Sequence, residues 1–199
     1  MPIETQADRR RAQLIRIAAA LIDTEGVDAL NMSRVGELAG CTRTQVHRYF
    51  ARREDLISAV VYEFNKVLSA KLESVGVLLG PGSVGDDVQA WSTRVHEAIW
   101  DLFDEGGMAG LILLAVPHAS SGTRAEIDKL RHELFAPWVE NIANAFASKQ
   151  NAELVVDLWM VTAYRLATKW RAGELDRETA IASLTKTQLA ILGAFARRD

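Results

Sequence analysis

Apolar residues recur every three or four positions along most of the chain, which is the spacing of one face of an α-helix. The first segment with this pattern ends at Gly26. Its apolar face contains Leu14, Ile17, Ala18 and Leu21. A longer apolar pattern begins near Arg53 and continues to Leu72. Since no stretch alternates apolar and polar residues as a half-buried strand does, the pattern predicts an all-α fold.

The same spacing predicts five further helices after the long one. They are expected at residues 87–103, 108–116, 123–148, 152–171 and 176–196. Before them, Gly80-Pro81-Gly82-Ser83-Val84-Gly85 spells the G-x-G-x-x-G motif of dinucleotide sites. That motif requires a preceding strand, so that its loop presents phosphates to a helix, and here a helix precedes it. We therefore interpret the segment as a linker.

A helix-turn-helix is predicted between residues 33 and 56. Thr42 and Gln45 have the S/T-x-x-E/Q spacing of a capping box, so a short helix should begin at Arg43. Ser33 is expected to cap the preceding helix and Gly40 to close it. A small core with the first helix of the chain is expected from Leu30, Val35, Leu38 and Val46.

Charge is unevenly distributed along the 199 residues, although the net charge is only −3. Between Ser33 and Arg53 there are five arginines and one acid, a local charge of +4. The residues from Ile57 to Asp199 carry a net charge of −4. A small basic patch on an acidic body suits focused contact with DNA. Charge alone would equally fit a solvated surface, and the predicted helix-turn-helix favours DNA.

Composition argues against several other classes of protein. No apolar run is long enough to span a bilayer, and the charged N-terminus lacks a signal-peptide pattern. We therefore expect a cytoplasmic location without membrane contact. Cys41 is the single cysteine and the four histidines are dispersed, so no disulfide, metal site or cofactor is expected. Since the motifs of zinc and serine hydrolases are absent, we expect no catalytic residues and no enzyme.

The segment from Val35 to Leu56 resembles the N-terminal domain of the TetR family of bacterial transcriptional regulators. The residues that carry the resemblance are Val35, Gly36, Ala39, Gly40, Cys41, Thr42, Tyr49, Phe50, Arg53, Glu54 and Leu56. Two positions depart from the family pattern, since His47 replaces a usual tyrosine and Gly36 a usual alanine. A histidine can still donate to a phosphate, whereas a glycine within a helix costs about 1 kcal/mol relative to alanine.

The resemblance implies a three-helix DNA-binding domain over residues 1–56, whose third helix enters the major groove. The residues expected to read base edges are Arg43, Thr44, Gln45 and Arg48. The residues expected to contact phosphates are Ser33, Thr42, His47, Tyr49 and Arg53. For Tyr49, packing against the first helix is an equally good alternative. Val46 and Phe50 are expected in the core.

The resemblance also implies that residues 57–199 form an effector-binding and dimerisation domain. This region contains all five tryptophans, and an apolar pocket is expected among its aromatic residues. The candidate ligand-binding residues are His96, Ile99, Trp100, Phe103, Trp138, Trp159 and Tyr164. Helical stripes of aromatic residues more often fill a core, so that alternative stays open for each of them.

The last two helices are expected to pair with their copies in a homodimer. The final helix is apolar or small nearly all round, which is typical of a helix packed on more than one side. A dimer places two recognition helices about 34 Å apart, so the double-stranded DNA operator should be a near-palindrome. The resemblance implies a regulator, most commonly a repressor, that a small, largely apolar or aromatic effector releases. A regulator without small-molecule control, or one controlled by a protein partner, is the alternative.

Overall fold

The computed structural model describes residues 5–75, 87–105, 107–116, 118, 120–143 and 149–195, with the backbone alone at residues 141 and 142. Within these ranges the chain forms nine α-helices, one 3-10 helix and no strand, which confirms the all-α prediction. The helices are α1 (Gln6–Glu25), the 3-10 helix (Val27–Ala29), α2 (Met32–Leu38), α3 (Arg43–His47), α4 (Arg53–Ser74), α5 (Val88–Asp104), α6 (Met108–Ala115), α7 (Ser121–Ala143), α8 (Lys149–Arg171) and α9 (Arg177–Phe195). The G-x-G-x-x-G segment lies outside the described residues.

Local sequence signals mark several helix ends. Thr5 and Asp8 form a capping box at the start of α1, and Gly26 ends this helix with a φ of 86°. Asp87 caps α5 by accepting a hydrogen bond from the Ala90 amide at 2.8 Å. Such signals act within one helical turn, which is why the predicted ends of α5 and α6 agree with the observed ones within one residue. The helix ends predicted at residues 148 and 196 lie outside the described residues. None of the helices in the described ranges is both long and apolar enough to cross a membrane.

The described helices pack into two compact units, of which the first comprises residues 1–65 and 106–130. Its core is apolar and includes Leu14, Ala18, Ile22, Val35, Val46, Phe50, Leu56, Ile57, Leu113 and Ile127. Leu38 is 50% exposed, so the prediction that it joins this core is wrong. With about 100° of rotation per residue, Leu38 falls outside the buried face that Val35 forms with Ala39, the C-cap of α2.

Helix α6 packs on α1 within the first unit. Gly110 permits close approach of α6 to α4, since a Cβ at this position would lie 2.2 Å from Cγ of Phe64. The predicted domain boundary at residue 56 stays a prediction. The first unit differs from the predicted N-terminal domain, because it extends along α4 and takes in α6 and the start of α7.

The second unit comprises residues 66–105 and 131–199. Helix α9 packs against both α5 and α8. Trp100 is fully buried in this unit, with its ring 5.4 Å from that of Phe103 and 6.4 Å from that of Trp170. Ion pairs also join its helices, and one of them connects Arg177 of α9 with Asp101 of α5. These pairs are partly exposed, so the apolar core contributes most of the stability.

Candidate DNA-binding surface and aromatic cavity

Helix α3 begins where the capping box predicts. The Thr42 hydroxyl accepts a hydrogen bond from the Gln45 amide at 3.2 Å, and the Gln45 side chain accepts one from the Thr42 amide at 2.8 Å. This use of the Gln45 side-chain oxygen leaves its N–H groups as donors for a ligand. Gly40 has a φ of 65°, a left-handed conformation that glycine adopts without steric cost. The predicted start of α3 at Arg43 is confirmed.

The preceding helix begins earlier than predicted. Asn31, and not Ser33, is the N-cap of α2, because Oδ1 of Asn31 accepts a hydrogen bond from the Arg34 amide at 2.8 Å. Ser33 is therefore an exposed residue in the first turn of the helix. Asparagine and serine are both strongly favoured N-cap residues, so the local sequence did not discriminate between them.

Gly36 marks a close approach between α2 and the turn. A Cβ at this position would lie 2.8 Å from the Cys41 carbonyl oxygen and 3.3 Å from Cγ2 of Val46. The Cys41 amide donates a hydrogen bond to the Gly36 carbonyl at 2.8 Å, which fixes this approach. The departure from the usual alanine therefore has a packing reason, although glycine lowers the helix propensity.

Residues 42–50, which contain α3, have a buried side and an exposed side. Val46 and Phe50 are 0% and 2% exposed, which confirms their predicted place in the core. The exposed side chains are those of Thr42, Arg43, Thr44, Gln45 and Arg48. All five can donate hydrogen bonds, and the two arginines add positive charge. The predicted base-reading residues thus lie on the solvent side of one short helical segment.

His47 is half-buried, and both its ring nitrogens contact the protein. Nδ1 lies 3.1 Å from the Ala51 carbonyl oxygen, and Nε2 lies 3.3 Å from Nε of Arg43. Because the carbonyl accepts and the guanidinium donates, this arrangement requires a neutral ring with its proton on Nδ1. Contact between Nε2 and a phosphate would have to replace the Arg43 contact. The predicted phosphate contact of His47 stays a prediction.

Arg53 has a different environment from the one that its predicted phosphate contact requires. Its guanidinium donates to the carbonyl oxygens of Val27 at 2.6 Å and Leu30 at 2.7 Å. It also donates to Oγ1 of Thr123, a residue of α7 in the same unit, at 2.8 Å. These three bonds hold the guanidinium against the protein. Arg53 therefore joins segments of the first unit, and we exclude it from the proposed DNA-binding surface.

Tyr49 lies beside α1, whose arginines extend the basic surface beyond residues 33–53. Tyr49 shares an open recess with Arg9, Arg10, Gln13 and Arg16 of α1. The tyrosine is half-buried, so both packing against α1 and contact with a phosphate fit its position. The run of arginines near the N-terminus is the sequence signal for this extension, and it lies before the basic segment that starts at Ser33.

The second unit encloses a small cavity of about 50 Å³. Four aromatic side chains line it: Trp91, Phe135, Trp138 and Trp159. The aliphatic lining residues are Val88, Val155, Val156 and Leu192. Gln188 adds a side-chain amide, and no described lining residue carries a charge. The cavity is therefore an apolar, aromatic site with few polar atoms, as ligand pockets usually are.

Some of the predicted ligand-binding residues line the cavity and others do not. Trp138 and Trp159 line the cavity. Ile99, Trp100 and Phe103 are buried but lie outside its lining, and Tyr164 is half-buried and also outside it. For the three buried residues, their positions fit the alternative of core packing. Trp91, Phe135 and Gln188 were not among the predicted residues, because nothing local distinguishes them from core or surface residues.

His96 lies behind the cavity wall and holds one of its rings. Nε1 of Trp159 donates a hydrogen bond to Nε2 of His96 at 2.8 Å. The other ring nitrogen, Nδ1, therefore carries the proton and donates to Oγ1 of Thr185 at 2.8 Å. Burial lowers the pKa of His96 to about 3, because a buried imidazolium would lose its hydration. His96 thus positions Trp159 and is not itself a lining residue of the cavity.

Comparison with known proteins places the N-terminal domain in a family. Residues 14–60 match the model of the "Bacterial regulatory proteins, tetR family". This match covers α2, the turn and α3, including the capping box that starts the recognition segment. No curated protein matches the chain.

Solved structures share the fold over nearly the whole chain. A tetR-family transcriptional regulator from Streptomyces coelicolor is 23% identical, with 98% of this chain and 83% of that chain covered and a TM-score of 0.61. A TetR family transcription regulator from Marinobacter aquaeolei VT8 is 14% identical, with 98% and 100% covered and a TM-score of 0.62. The multidrug binding protein EbrR complexed with imidazole is 13% identical, with 96% and 97% covered and a TM-score of 0.61.

These structures, at such low identity, support the all-helical fold. The family is indicated by the match over residues 14–60, together with the capped helix-turn-helix and its exposed arginines. The chain therefore carries, over residues 14–60, a segment that matches the TetR family of bacterial regulatory proteins.

Proposed function

We propose that the chain represses transcription by binding a near-palindromic operator as a homodimer, and that a small, largely apolar or aromatic effector releases it. The observation that carries the DNA-binding part is the exposed side of α3. There Arg43, Thr44 and Arg48 face solvent, while Val46 and Phe50 anchor the helix in the core. A bidentate arginine–guanine pair contributes about 1–3 kcal/mol of discrimination between bases.

Phosphate contacts come from residues that flank the recognition helix. Thr42 and Ser33 are exposed at the starts of α3 and α2. Arg9, Arg10 and Arg16 add positive charge beside Tyr49. Each phosphate neutralised by an arginine releases counterions, so operator affinity should fall steeply with salt concentration.

An apolar stripe on α8 supports dimerisation through the last two helices. Leu154, Leu158 and Val161 are 44%, 40% and 48% exposed, and their spacing of four and three residues puts them on one helix face. On α9, exposed Ala190 and Ala194 leave a small surface that a second helix can approach closely. Contiguous exposed apolar surface of this kind typically marks an interaction site. A second copy of the chain is the occupant that a palindromic operator requires.

The aromatic cavity is the proposed effector site. At about 50 Å³ the empty cavity is smaller than the pockets that hold drug-sized ligands, so it must open for an effector. Opening of the second unit would bias the spacing of the recognition helices, and α4 contributes residues to both units. By linkage, the effector weakens operator binding by the same factor by which the operator weakens effector binding.

Selection of bound duplexes from a randomised DNA pool tests the proposal. The wild-type chain should enrich a near-palindrome, and Arg48→Ala should relax the selection at one position in each half-site. Arg52→Ala is the matched control, because the Arg52 side chain is exposed and paired with Asp55 at 2.8 Å. The control should select the wild-type sequence. A folded dimer that enriches no sequence at low salt would rule out operator binding.

A further inference from the structure

Two side chains that line the cavity each carry a buried polar atom without a hydrogen-bond partner among the described residues. These atoms are Nε1 of Trp91, a donor, and Oε1 of Gln188, an acceptor. Trp91 is only 5% exposed. An unsatisfied buried polar group costs about 1–3 kcal/mol, and native structures contain few of them. An unpaired donor and an unpaired acceptor on two lining residues of the same cavity favour a ligand that supplies the opposite partner to each.

The tryptophan rings of the cavity define a flat site. Trp138 and Trp159 are stacked, with ring centroids 6.0 Å apart and 25° between their planes. Trp91 meets Trp138 edge-on, at 5.9 Å and 65°. A planar ring inserted between two others needs about 7 Å, because each face-to-face contact takes about 3.5 Å. The stacked pair is therefore about 1 Å short of the spacing that a third ring requires.

One ring of the stacked pair is held in place and the other is on a weakened helix. Trp159 is fixed by its hydrogen bond to His96, which in turn bonds Thr185. Trp138 directly follows Pro137, which lies inside α7. Since proline donates no backbone hydrogen bond and disturbs the preceding turn, the helix can bend most easily at this point. Movement of Trp138 away from Trp159 would therefore open the stacked pair without breaking the hydrogen bond between Trp159 and His96.

The charge of the lining sets the charge of the ligand. No described lining residue is ionisable in the physiological range, and a charge without a partner is expensive to bury. The N–H of Trp91 would in addition repel a cation. A neutral ligand avoids both costs.

We propose that the effector is a neutral, planar aromatic molecule with a hydrogen-bond acceptor and a hydrogen-bond donor on its edge. This inference rests on the proposed effector site and specifies its ligand. The ring inserts between Trp138 and Trp159. Its acceptor receives the N–H of Trp91, and its donor binds Oε1 of Gln188.

Calorimetric titration of the full chain with four bicyclic probes of similar shape tests this proposal. 2-Quinolinone has both a donor and an acceptor, 1-methyl-2-quinolinone has only the acceptor, naphthalene has neither, and 1-methylquinolinium is a cation. We expect 2-quinolinone to bind most tightly, with naphthalene and 1-methylquinolinium each at least tenfold weaker. Tryptophan emission should change on binding, because the ring contacts two indoles.

Conservative variants assign each hydrogen bond to its residue. Trp91→Phe keeps a ring but removes the N–H, and should weaken 2-quinolinone about tenfold while leaving naphthalene within twofold. Gln188→Met removes the acceptor, and should make 2-quinolinone and 1-methyl-2-quinolinone bind alike. Trp170→Phe is the matched control, since Trp170 packs near Trp100 and does not line the cavity. It should leave all four affinities unchanged.

The outcomes separate this inference from the proposed function. Tightest binding of 1-methylquinolinium, or an equal loss of 2-quinolinone and naphthalene in Trp91→Phe, would overturn the ligand class but keep an effector site in this cavity. Failure of all four probes to bind a chain that still holds its selected operator would overturn the ligand class and leave DNA binding intact. A chain that binds 2-quinolinone as expected but selects no DNA would refute the operator instead.

Discussion

The substitution Arg53→Met removes three hydrogen bonds that join separate segments of the first unit, while the methionine retains much of the apolar stem. The lost acceptors are the carbonyl oxygens of Val27 and Leu30 and the hydroxyl of Thr123, at 2.6, 2.7 and 2.8 Å. Because the side chain is half-exposed, water can replace part of each bond, and we assign about 1 kcal/mol to each. The expected loss in the free energy of unfolding is about 3 kcal/mol, or about 6–12 °C in Tm.

Two assays on the same variant distinguish this structural role from the phosphate contact that the sequence predicts. Thermal unfolding should show the lower Tm. Operator binding, measured below that Tm at several salt concentrations, should keep the wild-type slope of log affinity against log salt. Removal of a true phosphate contact would reduce that slope by about 1. Arg48→Ala is the control that weakens operator binding without lowering Tm. A normal Tm together with a reduced salt slope in Arg53→Met would refute the structural role.

Three further predictions follow from contacts elsewhere in the chain. Burial lowers the pKa of His96 from 6.5 to about 3, so between these pH values the unfolded chain binds a proton that the folded chain does not. The free energy of unfolding should therefore be highest above pH 6.5 and fall by about 1.4 kcal/mol per pH unit as the pH drops towards 3. Urea unfolding between these pH values should be less pH-dependent in His96→Gln, and an equal dependence would contradict the argument. Gly36→Ala should lower Tm by destabilising the first unit by about 1 kcal/mol, because a methyl group 2.8 Å from the Cys41 carbonyl outweighs the gain in helix propensity. A raised Tm would show that the turn relaxes freely. Leu158→Glu should give monomers in analytical ultracentrifugation, whereas Val67→Glu, at an exposed valine of α4, should leave dimers. A dimeric Leu158→Glu variant would exclude this face of α8.

The cavity illustrates why some of its lining residues were predictable and others were not. Trp138 and Trp159, which line the cavity, are among the residues expected there because the family resemblance implies a pocket and aromatic residues commonly line one. His96 was identified for the same reason, but its hydrogen bonds to Trp159 and Thr185 place it behind the wall. The polar side-chain atoms of Trp91 and Gln188 stand out because no hydrogen-bond partner among the described residues reaches them in three dimensions. The spacing of residues along the chain gives no information about such missing partners.

The sequence by itself determined the features that depend on neighbours within about one helical turn. The capping box of Thr42 and Gln45, the helix end at Gly26 and the buried positions of Val46 and Phe50 all follow from local chemistry or helical period. The same short-range residues carry the family resemblance, which is why the helix-turn-helix segment was predictable.

Only the tertiary structure decided the features that depend on residues far apart in the chain. The family resemblance implies a phosphate contact for Arg53, yet its guanidinium bonds Thr123, 70 positions away. Leu38 is apolar like a core residue, but Val35 and Ala39 form the buried side of this helix and leave Leu38 half-exposed. A side chain's role follows from which partners reach it, and the fold brings those partners from distant parts of the sequence.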